Sequence, residues 1–230
     1  MSDPDEYIAL VSSLPSSERL FVAKQPPLSR LRLDRRLAAL SAEHSLMLAQ
    51  IEALLSWSAY DMQADEAVAI RRAKAALRDI AQPTLRAIVQ DRMELRTAVA
   101  ALRLRARGDG PPPGAWGLGR WTRHIAANWS EPTFRLDRSM PWLREAARMI
   151  EHRDPLELQR HLLDVSFRRL QRHAARHQFD FEAVVIYVLK WNIFDRWAQA
   201  NAEAAARRFS ELSLEALRDF PDLMLEGQAP

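Results

Sequence analysis

The sequence predicts an all-α fold, a bundle of several helices divided into two subdomains by a Gly/Pro-rich loop. The first reason is composition: 48% of the 230 residues are apolar, Ala, Leu and Arg are abundant, and only six residues are glycine, which together favour helices. The second is a series of helix start signals along the chain. The third is that no segment shows the sustained alternation of apolar and polar residues that is typical of a half-buried strand.

Five elements are predicted in the N-terminal subdomain, residues 1–107. Tyr7–Leu14 is a short apolar run closed by Pro15, and it predicts either a strand-like segment or one short helix. An irregular stretch follows and ends at Pro26 and Pro27. Four helices then start at a capping residue or a first-turn proline. They run from Ser29 to about Leu40, from Ser41 to about Trp57, from Asp65 to about Ile80, and from Pro83 to about Arg107.

The strongest helix-breaking cluster is Gly108–Gly114, so residues 108–120 are predicted to link the two subdomains. The C-terminal subdomain, residues 121–225, is predicted to begin with short helices in a tryptophan-rich region. Asp154-Pro155-Leu156-Glu157 then combines an N-cap acid, a first-turn proline and a capping-box glutamate, which predicts a helix to about His177. A last amphipathic helix is predicted over 210–220, and the tail at 226–230 is predicted to be loose.

The segment from Phe179 to Trp197 predicts a central helix, because its residues are apolar on nearly every side. We expect this helix to start at Asp180 and to be buried from about residue 180 to residue 209. Two charges interrupt it, Lys190 and Asp195, and neither has an opposite charge three or four positions away. If the helix is buried, both charges need partners from elsewhere in the fold or from another protein.

A buried ion pair is our first hypothesis for these charges. On the long fourth helix, Arg92 falls within the apolar stripe that contains Ile88 and Leu95. We hypothesise that Asp195 pairs with an arginine of a neighbouring helix, namely Arg92, Arg168, Arg169 or Arg172. The alternative is that the central helix turns Asp195 and Lys190 towards solvent. The first hypothesis makes Arg92, Lys190 and Asp195 buried polar residues with a structural role.

Candidate catalytic and metal-binding residues are few. His173 and His177 lie four positions apart on one predicted helix, but the zinc-protease glutamate is missing and two histidines do not complete a zinc site, so a solvated basic face is favoured. The absence of cysteine excludes disulfides and Cys-based metal sites. A Gly-rich phosphate loop and a nucleophile elbow are also missing. We therefore expect a non-catalytic protein without a cofactor; an active site that gathers His161, Glu157 or Asp195 is the minority hypothesis.

The charge distribution makes nucleic-acid binding the less favoured interpretation. The sequence pI is about 9.7, yet the formal net charge is only +3, and only three of the 33 Lys and Arg residues are lysines. Because few groups titrate between pH 7 and the arginine range, a small excess of arginine raises the pI far. Arg103, Arg105 and Arg107 form a basic helix end. They indicate either compensation of the helix dipole or a patch that binds an acidic partner.

Several motifs resemble those of a known family, the C subunits of V/A-type ATPases, whose eukaryotic members are called d subunits. Met93–Arg103 is similar to one helix of that family, and Tyr187–Lys190 with Ile193 and Arg196 resembles its C-terminal helix. The chain resembles more closely a poorly characterised bacterial group encoded among V-type ATPase genes. The motifs shared with that group are Tyr-x-x-Leu-Val-x-Ser-Leu-Pro at Tyr7–Pro15, Pro-Pro-Leu/Ile-Ser at Pro26–Ser29, Trp-x-Glu-Pro-x-Phe at Trp129–Phe134, and Phe-Asp-Phe-Glu-Ala…Asp-Arg-Trp at Phe179–Trp197.

The resemblance implies an all-helical, non-enzymatic subunit with degenerate helical repeats, which caps the membrane rotor ring and receives the central shaft. Its partners would be rotor and stalk subunits of a V-type ATPase. It would be cytoplasmic and peripheral at the cytoplasmic face of the inner membrane. The family proper is longer and has three helical repeats, whereas this chain has room for fewer, so an accessory or assembly factor is the variant of this hypothesis. The alternative from another class is an arginine-rich helical protein that binds nucleic acid.

Overall fold

The computed structural model describes residues 4–16, 21, 25–55, 66–114 and 116–219, and within these ranges it contains nine helices and no strand. The all-α fold class is therefore confirmed. The run at Tyr7–Leu14 is part of a helix and not of a strand. The helices are α1 (Pro4–Ser13), α2 (Arg30–Leu37), α3 (Ala42–Leu55), α4 (Glu66–Asp79), α5 (Pro83–Ala106), α6 (Thr122–Ala127), α7 (Leu143–Glu151), α8 (Pro155–Ala174) and α9 (Phe181–Asp219).

Four predicted capping residues start their helices through the expected side-chain hydrogen bonds. Ser29 and Ser41 accept a backbone N–H in the first turn of α2 and α3, at 3.4 and 3.3 Å. Asp154 and Asp180 do the same for α8 and α9, at 3.0 and 2.8 Å. Each bond satisfies one of the donors that a helix leaves without a partner at its N-terminus. The predicted boundaries at Trp57 and Asp65 lie outside the described residues.

The turn between α7 and α8 explains why Glu157 does not complete the predicted capping box. Arg153 has a positive φ of 55°, and the next residue, Asp154, donates its N–H to Met149 O at 3.0 Å. These are the marks of a Schellman motif at the end of α7. Because the N–H of Asp154 is already used, the Glu157 side chain lies instead near Arg160, with 3.6 Å between Oε1 and Nη1.

The last helix is longer than predicted. A separate helix over 210–220 was predicted, but α9 continues without a break from Phe181 to Asp219, 39 residues in all. No Gly or Pro occurs between residues 198 and 219, and a serine such as Ser210 is tolerated inside a helix, so nothing in that stretch ends it. At 1.5 Å per residue, α9 is roughly 58 Å long. The predicted loose tail at 226–230 lies outside the described residues.

Burial of the central helix is confirmed for its first half. Val184, Val185 and Val188 have no exposed surface, and the indole Nε1 of Trp191 donates to Leu28 O at 2.8 Å. This bond joins α9 to the segment before α2. Burial alternates with exposure towards residue 200, and Asn201 is exposed. The side chains of 202–209, for which burial was also predicted, lie outside the described set.

Two buried apolar clusters form the core. The first core contains residues of the four helices α1, α2, α3 and α4. It also contains residues of the N-terminal half of α5, of α8 and of α9. The second core joins the C-terminal half of α5 to α6, α7, the start of α8 and the segment around Phe134. These cores do not coincide with the predicted subdomains 1–107 and 121–225, because α5 contributes to both cores and α9 packs with the N-terminal helices. Residues 108–114 and 116–120 of the predicted linker are not helical.

A tight turn at the end of the linker is hydrogen-bonded to the middle of α5. Thr97 Oγ1 donates to Leu118 O at 2.9 Å and accepts from Leu118 N at 2.7 Å. The buried carboxylate of Glu94 accepts from Arg120 N at 3.2 Å. Gly117 and Gly119 have positive φ values of 60° and 100°. Glycine adopts such values readily because it has no Cβ atom, whereas other residues disfavour them.

Gly119→Ala tests this attachment. A Cβ at position 119 would lie 2.1 Å from Cγ of Glu94, and the backbone there has a φ of 100°. We expect the free energy of unfolding to fall by about 2–4 kcal/mol through backbone strain and overpacking. Urea denaturation measures the change. Gly110→Ala is the control, because a Cβ there meets nothing within 4 Å and should change stability by no more than about 0.5 kcal/mol. Equal changes in the two variants would contradict the assignment.

Candidate functional site

A cavity of about 410 Å³ lies between α2, α3, α5, α8 and α9 and is the candidate site of this protein. Its volume is in the range of small-molecule pockets. The charged and polar lining residues are Arg30, Glu52, Asp91, Arg92, Ser166, Arg169, His173, Asn192 and Arg196. The apolar lining residues are Ala53, Leu55, Ile88, Leu95, Leu163, Leu170, Leu189 and Ile193.

One side of the cavity holds a compact ion pair. Arg30 donates from Nη1 and Nη2 to the two carboxylate oxygens of Glu52, at 2.8 and 3.1 Å. Asn192 Nδ2 donates to Glu52 Oε1 at 2.9 Å, so this carboxylate joins α2, α3 and α9. The hydrogen bond to Glu52 raises the pKa of Arg30 above its ordinary value. Glu52 is therefore committed to partners within the fold.

The cavity lining also contains arginines in an unfavourable environment. Burial lowers the pKa of Arg92 to about 9, and the positive charges of Arg96 and Arg169 contribute in the same direction. Burial also lowers the pKa of Arg169, against the effect of Asp91. Arginine nevertheless stays protonated in proteins at neutral pH. The lowered pKa values therefore indicate that these positive charges reduce the stability of the folded state.

Each of the two neighbours of Arg92 has its own contacts. Arg96 donates Nη1 to Leu54 O at 3.1 Å and Nη2 to Leu55 O, which places a cation at the carboxyl end of α3, where the helix dipole favours it. Arg169 Nη1 lies 3.5 Å from Asp91 O and 4.0 Å from its Oδ2. Asp91 is thus the acidic group of the lining that lies beside these arginines.

The three residues predicted to be buried and polar differ in their surroundings. Arg92 is half-buried and lines the cavity. Lys190 is buried, and its Nζ lies 5.5 Å from the centre of the Phe167 ring, in the range of a cation–π contact. Asp195 is half-buried and accepts from Gln199 Nε2 at 2.6 Å. Burial raises the pKa of Asp195, and the charge of Arg30 opposes that shift.

The arginine partner predicted for Asp195 was wrong. Asp195 lies outside the cavity lining, and Gln199, one helical turn further along α9, is its hydrogen-bond partner. Arg168 instead pairs with Asp164 at 2.6 Å, and Arg169 faces Asp91. The prediction failed because it placed the apolar stripes of the helices opposite one another without knowing how α8 and α9 are rotated about their axes.

The predicted basic patch at the end of α5 is divided by the fold. Arg103 and Arg107 are exposed, and Arg107 Nε lies 3.1 Å from Asp109 Oδ2. Arg105 turns inward, donates to Glu131 O and lies 5.3 Å from the centre of the Phe134 ring. Only Arg103 and Arg107 of the three are therefore placed to meet a partner.

The histidines do not form the pair considered from the sequence. His173 lines the cavity, whereas His177 is hydrogen-bonded to Asp180 at 2.7 Å and to Thr84 at 3.1 Å. Ligand-type atoms of His177, Asp180 and Glu182 lie within 4.8 Å of one another. Asp180 is also the N-cap of α9, so these contacts are accounted for by the junction of α8 and α9.

The residues named for an active site are separated in the fold. His161 Nε2 is hydrogen-bonded to Trp142 O at 3.1 Å, beside the second core. Glu157 lies near Arg160 at the start of α8. Neither they nor Asp195 line the cavity.

Sequence reasoning missed the polar groups that the fold brings together at the cavity. Glu52, Asp91 and His173 were not connected with one another or with Arg92, because they lie on different helices and far apart in the chain. A usable signal for Asp91 and Arg92 was their adjacency beside an apolar stripe of α5. Glu52 offers no local signal, since its partner Arg30 is 22 residues away.

Comparisons of the chain with protein-family models, with curated proteins and with solved structures found no match. Within the residues that the structure describes, none of the helices combines the length and the apolar character needed to cross a bilayer. A function must therefore be inferred from the sequence motifs and from the geometry described above.

The titration of His173 tests the electrostatics of the cavity. Burial lowers the pKa of His173 below its ordinary value of 6.5; Arg172, Arg176 and His177 lower it further, and Asp91 raises it. The unfolded chain then binds more protons than the folded chain just below pH 6.5. Stability that is fully present above pH 6.5 is consequently lost as the pH falls through the folded-state pKa.

NMR titration of the His173 ring measures this pKa directly. We expect a midpoint below 6.5, a lower one in Asp91→Asn, and a higher one in Arg172→Gln, because these variants remove opposing contributions. A midpoint at or above 6.5 in the unaltered chain, or shifts of the same sign in both variants, would show that the cavity does not impose this field.

Proposed function

We propose that this chain is a non-catalytic helical subunit or accessory factor of a V-type ATPase, which acts by protein–protein contact between the rotor ring and the central stalk at the cytoplasmic face of the membrane. The observation that carries the proposal is that the four motifs resembling the ATPase-associated bacterial group coincide with contacts that build this fold. Proteins sharing these motifs would preserve the same framework.

The first two motifs tie the N-terminal segment to the central helices. In Tyr7–Pro15, Tyr7 and Leu10 are buried in the first core, and the Tyr7 hydroxyl is hydrogen-bonded to His44 Nδ1 at 2.5 Å. In Pro26–Ser29, Leu28 O accepts from the indole of Trp191. Ser29 caps α2. Each motif thus contains a group that fixes one helix against another.

The other two motifs organise the two cores. In Trp129–Phe134, Phe134 is fully buried, and the indole of Trp129 donates to Asp109 O at 2.9 Å. This contact joins the linker to the second core. The motif Phe179–Trp197 supplies the N-cap Asp180 and the buried face of α9. The resemblance therefore extends over residues that determine the fold in both cores, which supports a shared architecture.

The exposed end of α5 is the surface that we assign to partner binding. Arg103 and Arg107 are exposed there, and charges at the rim of an interface steer association with an acidic partner. Exposed arginines are commonly paired with acids on their own helix or loop. Arg107 pairs with Asp109, Arg135 with Glu131, Arg148 with Glu145, and Arg168 with Asp164. This local pairing favours a protein partner over a nucleic acid, whose recognition requires a run of cations that neutralise phosphates.

Affinity purification from native membranes tests the proposal. The tagged chain is expected to retain rotor and stalk subunits through washes at low and moderate salt, identified by mass spectrometry. Arg103→Glu/Arg107→Glu should reduce recovery about tenfold or more, because like charges facing each other across an interface oppose binding. Arg35→Glu/Arg72→Glu is the matched control, since it reverses two exposed arginines on α2 and α4 and should leave recovery unchanged.

The outcomes separate the two classes of function. Release of nucleic acid by moderate salt, with no ATPase subunit recovered, would reject the proposal in favour of the nucleic-acid-binding alternative. Recovery of the ATPase subunits that falls equally in both charge-reversal variants would retain the complex but exclude the end of α5 as its specific contact surface.

A further inference from the structure

We propose that the cavity between α2, α3, α5, α8 and α9 binds a small anionic molecule that has an apolar body and a carboxylate or phosphate group. The proposal goes beyond the function proposed above and does not depend on it. It is built from the lining of the cavity alone.

The walls of the cavity fit an apolar body. Leu95, Leu163, Leu170, Leu189 and Ile193 line it from α5, α8 and α9, and each of them is buried. The volume of about 410 Å³ is that of a small-molecule site and not of a packing defect. An inorganic ion would leave most of this apolar surface without a contact.

The charges of the lining fit an anion. Four arginines, Arg30, Arg92, Arg169 and Arg196, line the cavity, against two acidic residues, Glu52 and Asp91. Glu52 already accepts hydrogen bonds from Arg30 and Asn192, so its negative charge is committed at one side. The positive charges of the lining therefore exceed the negative ones, in a chain whose overall balance is only +3.

The position of the arginines in the cavity lining suits anion binding. The positive charge of Arg169 disfavours the charged form of Arg92, and both side chains are only partly exposed to solvent. Buried charges arranged in this way reduce stability. Sites where local rules are broken at a cost to stability are often functional. An anion placed between these guanidinium groups would offset the repulsion, and their planar donors match carboxylate and phosphate oxygens.

The exposed lining residues show where a ligand would enter. Arg30, Ala53 and Arg196 are exposed, whereas the leucines that line the cavity from α5, α8 and α9 are buried. A ligand would therefore enter the cavity past these exposed residues. Arg92 and Arg169 are less exposed than these residues, so a charged group beside them would be better shielded from solvent and would interact more strongly.

Calorimetric titration of the full chain with four probes tests the inference. The probes are octanoate, octyl phosphate, octan-1-ol and inorganic phosphate. We expect at least one of the two amphiphilic anions to bind about tenfold or more tightly than octan-1-ol, because only the anion pairs with the arginines. The preferred anion identifies the charged group, carboxylate or phosphate monoester. Equal affinities for octanoate, octyl phosphate and octan-1-ol, or tightest binding by inorganic phosphate, would overturn the proposal.

Adjacent arginines of α8 provide a matched pair of variants. Arg169→Met removes a charge from the cavity lining, whereas Arg168→Met removes one that pairs with Asp164 and is 72% exposed. The affinity for the preferred anion should fall about tenfold or more in Arg169→Met and stay unchanged in Arg168→Met. Equal losses in both variants would mean that the arginine at 169 has no specific role and would overturn the proposal.

Arg92→Met distinguishes loss of the site from loss of the fold. Circular dichroism and a thermal melt show whether Arg92→Met, which carries a neutral side chain of similar length, is folded at the temperature of the titration. The same variant should bind the preferred anion about tenfold more weakly or worse. Retained affinity in the folded variant would overturn the assignment of the cavity as an anion site.

Discussion

The fold depends on α5 being shared by two cores. Its N-terminal half packs with α8 and α9 in the first core, and its C-terminal half packs with α6 and α7 in the second. Where the two cores meet, Glu94 and Thr97 are hydrogen-bonded to the turn at the end of the linker. A rigid helix that belongs to both clusters couples them mechanically. The chain can therefore carry a break such as Gly108–Gly114 without its two halves becoming independent.

Helix α5 also places a positive charge at the cavity, where an apolar side chain would favour the stability of the fold. Arg92 lies one position after Asp91 and one turn before Arg96, on the side of α5 that faces α8. Apolar side chains at positions 92 and 169 would remove the repulsion that Arg169 exerts on Arg92. The chain instead keeps two guanidinium groups beside leucines. Stability lost in this way is offset by the two apolar cores and by the ion pair of Arg30 with Glu52, which holds α2 against α3.

Local features were predictable from the sequence, and relative helix rotations were not. Ser29, Asp154 and Asp180 act through the few residues that follow them, so their capping bonds could be read directly. The apolar run of α9 was equally clear, whereas its length was not, since Ser210 resembles a cap until the fold shows that no turn forms there. The orientation of Asp195 and the inward turn of Arg105 depend on how neighbouring helices pack. The cavity is the extreme case, because its lining comes from five helices.

A ligand in the cavity would act on the relation between these helices. Hydrogen bonds among Arg30, Glu52 and Asn192 join α2, α3 and α9 at the cavity. Arg92 and Arg169 line it from α5 and α8. An anion bound to the arginines would draw α5 and α8 together, while its apolar body would contact α9. A molecule that binds only the folded arrangement stabilises it by mass action.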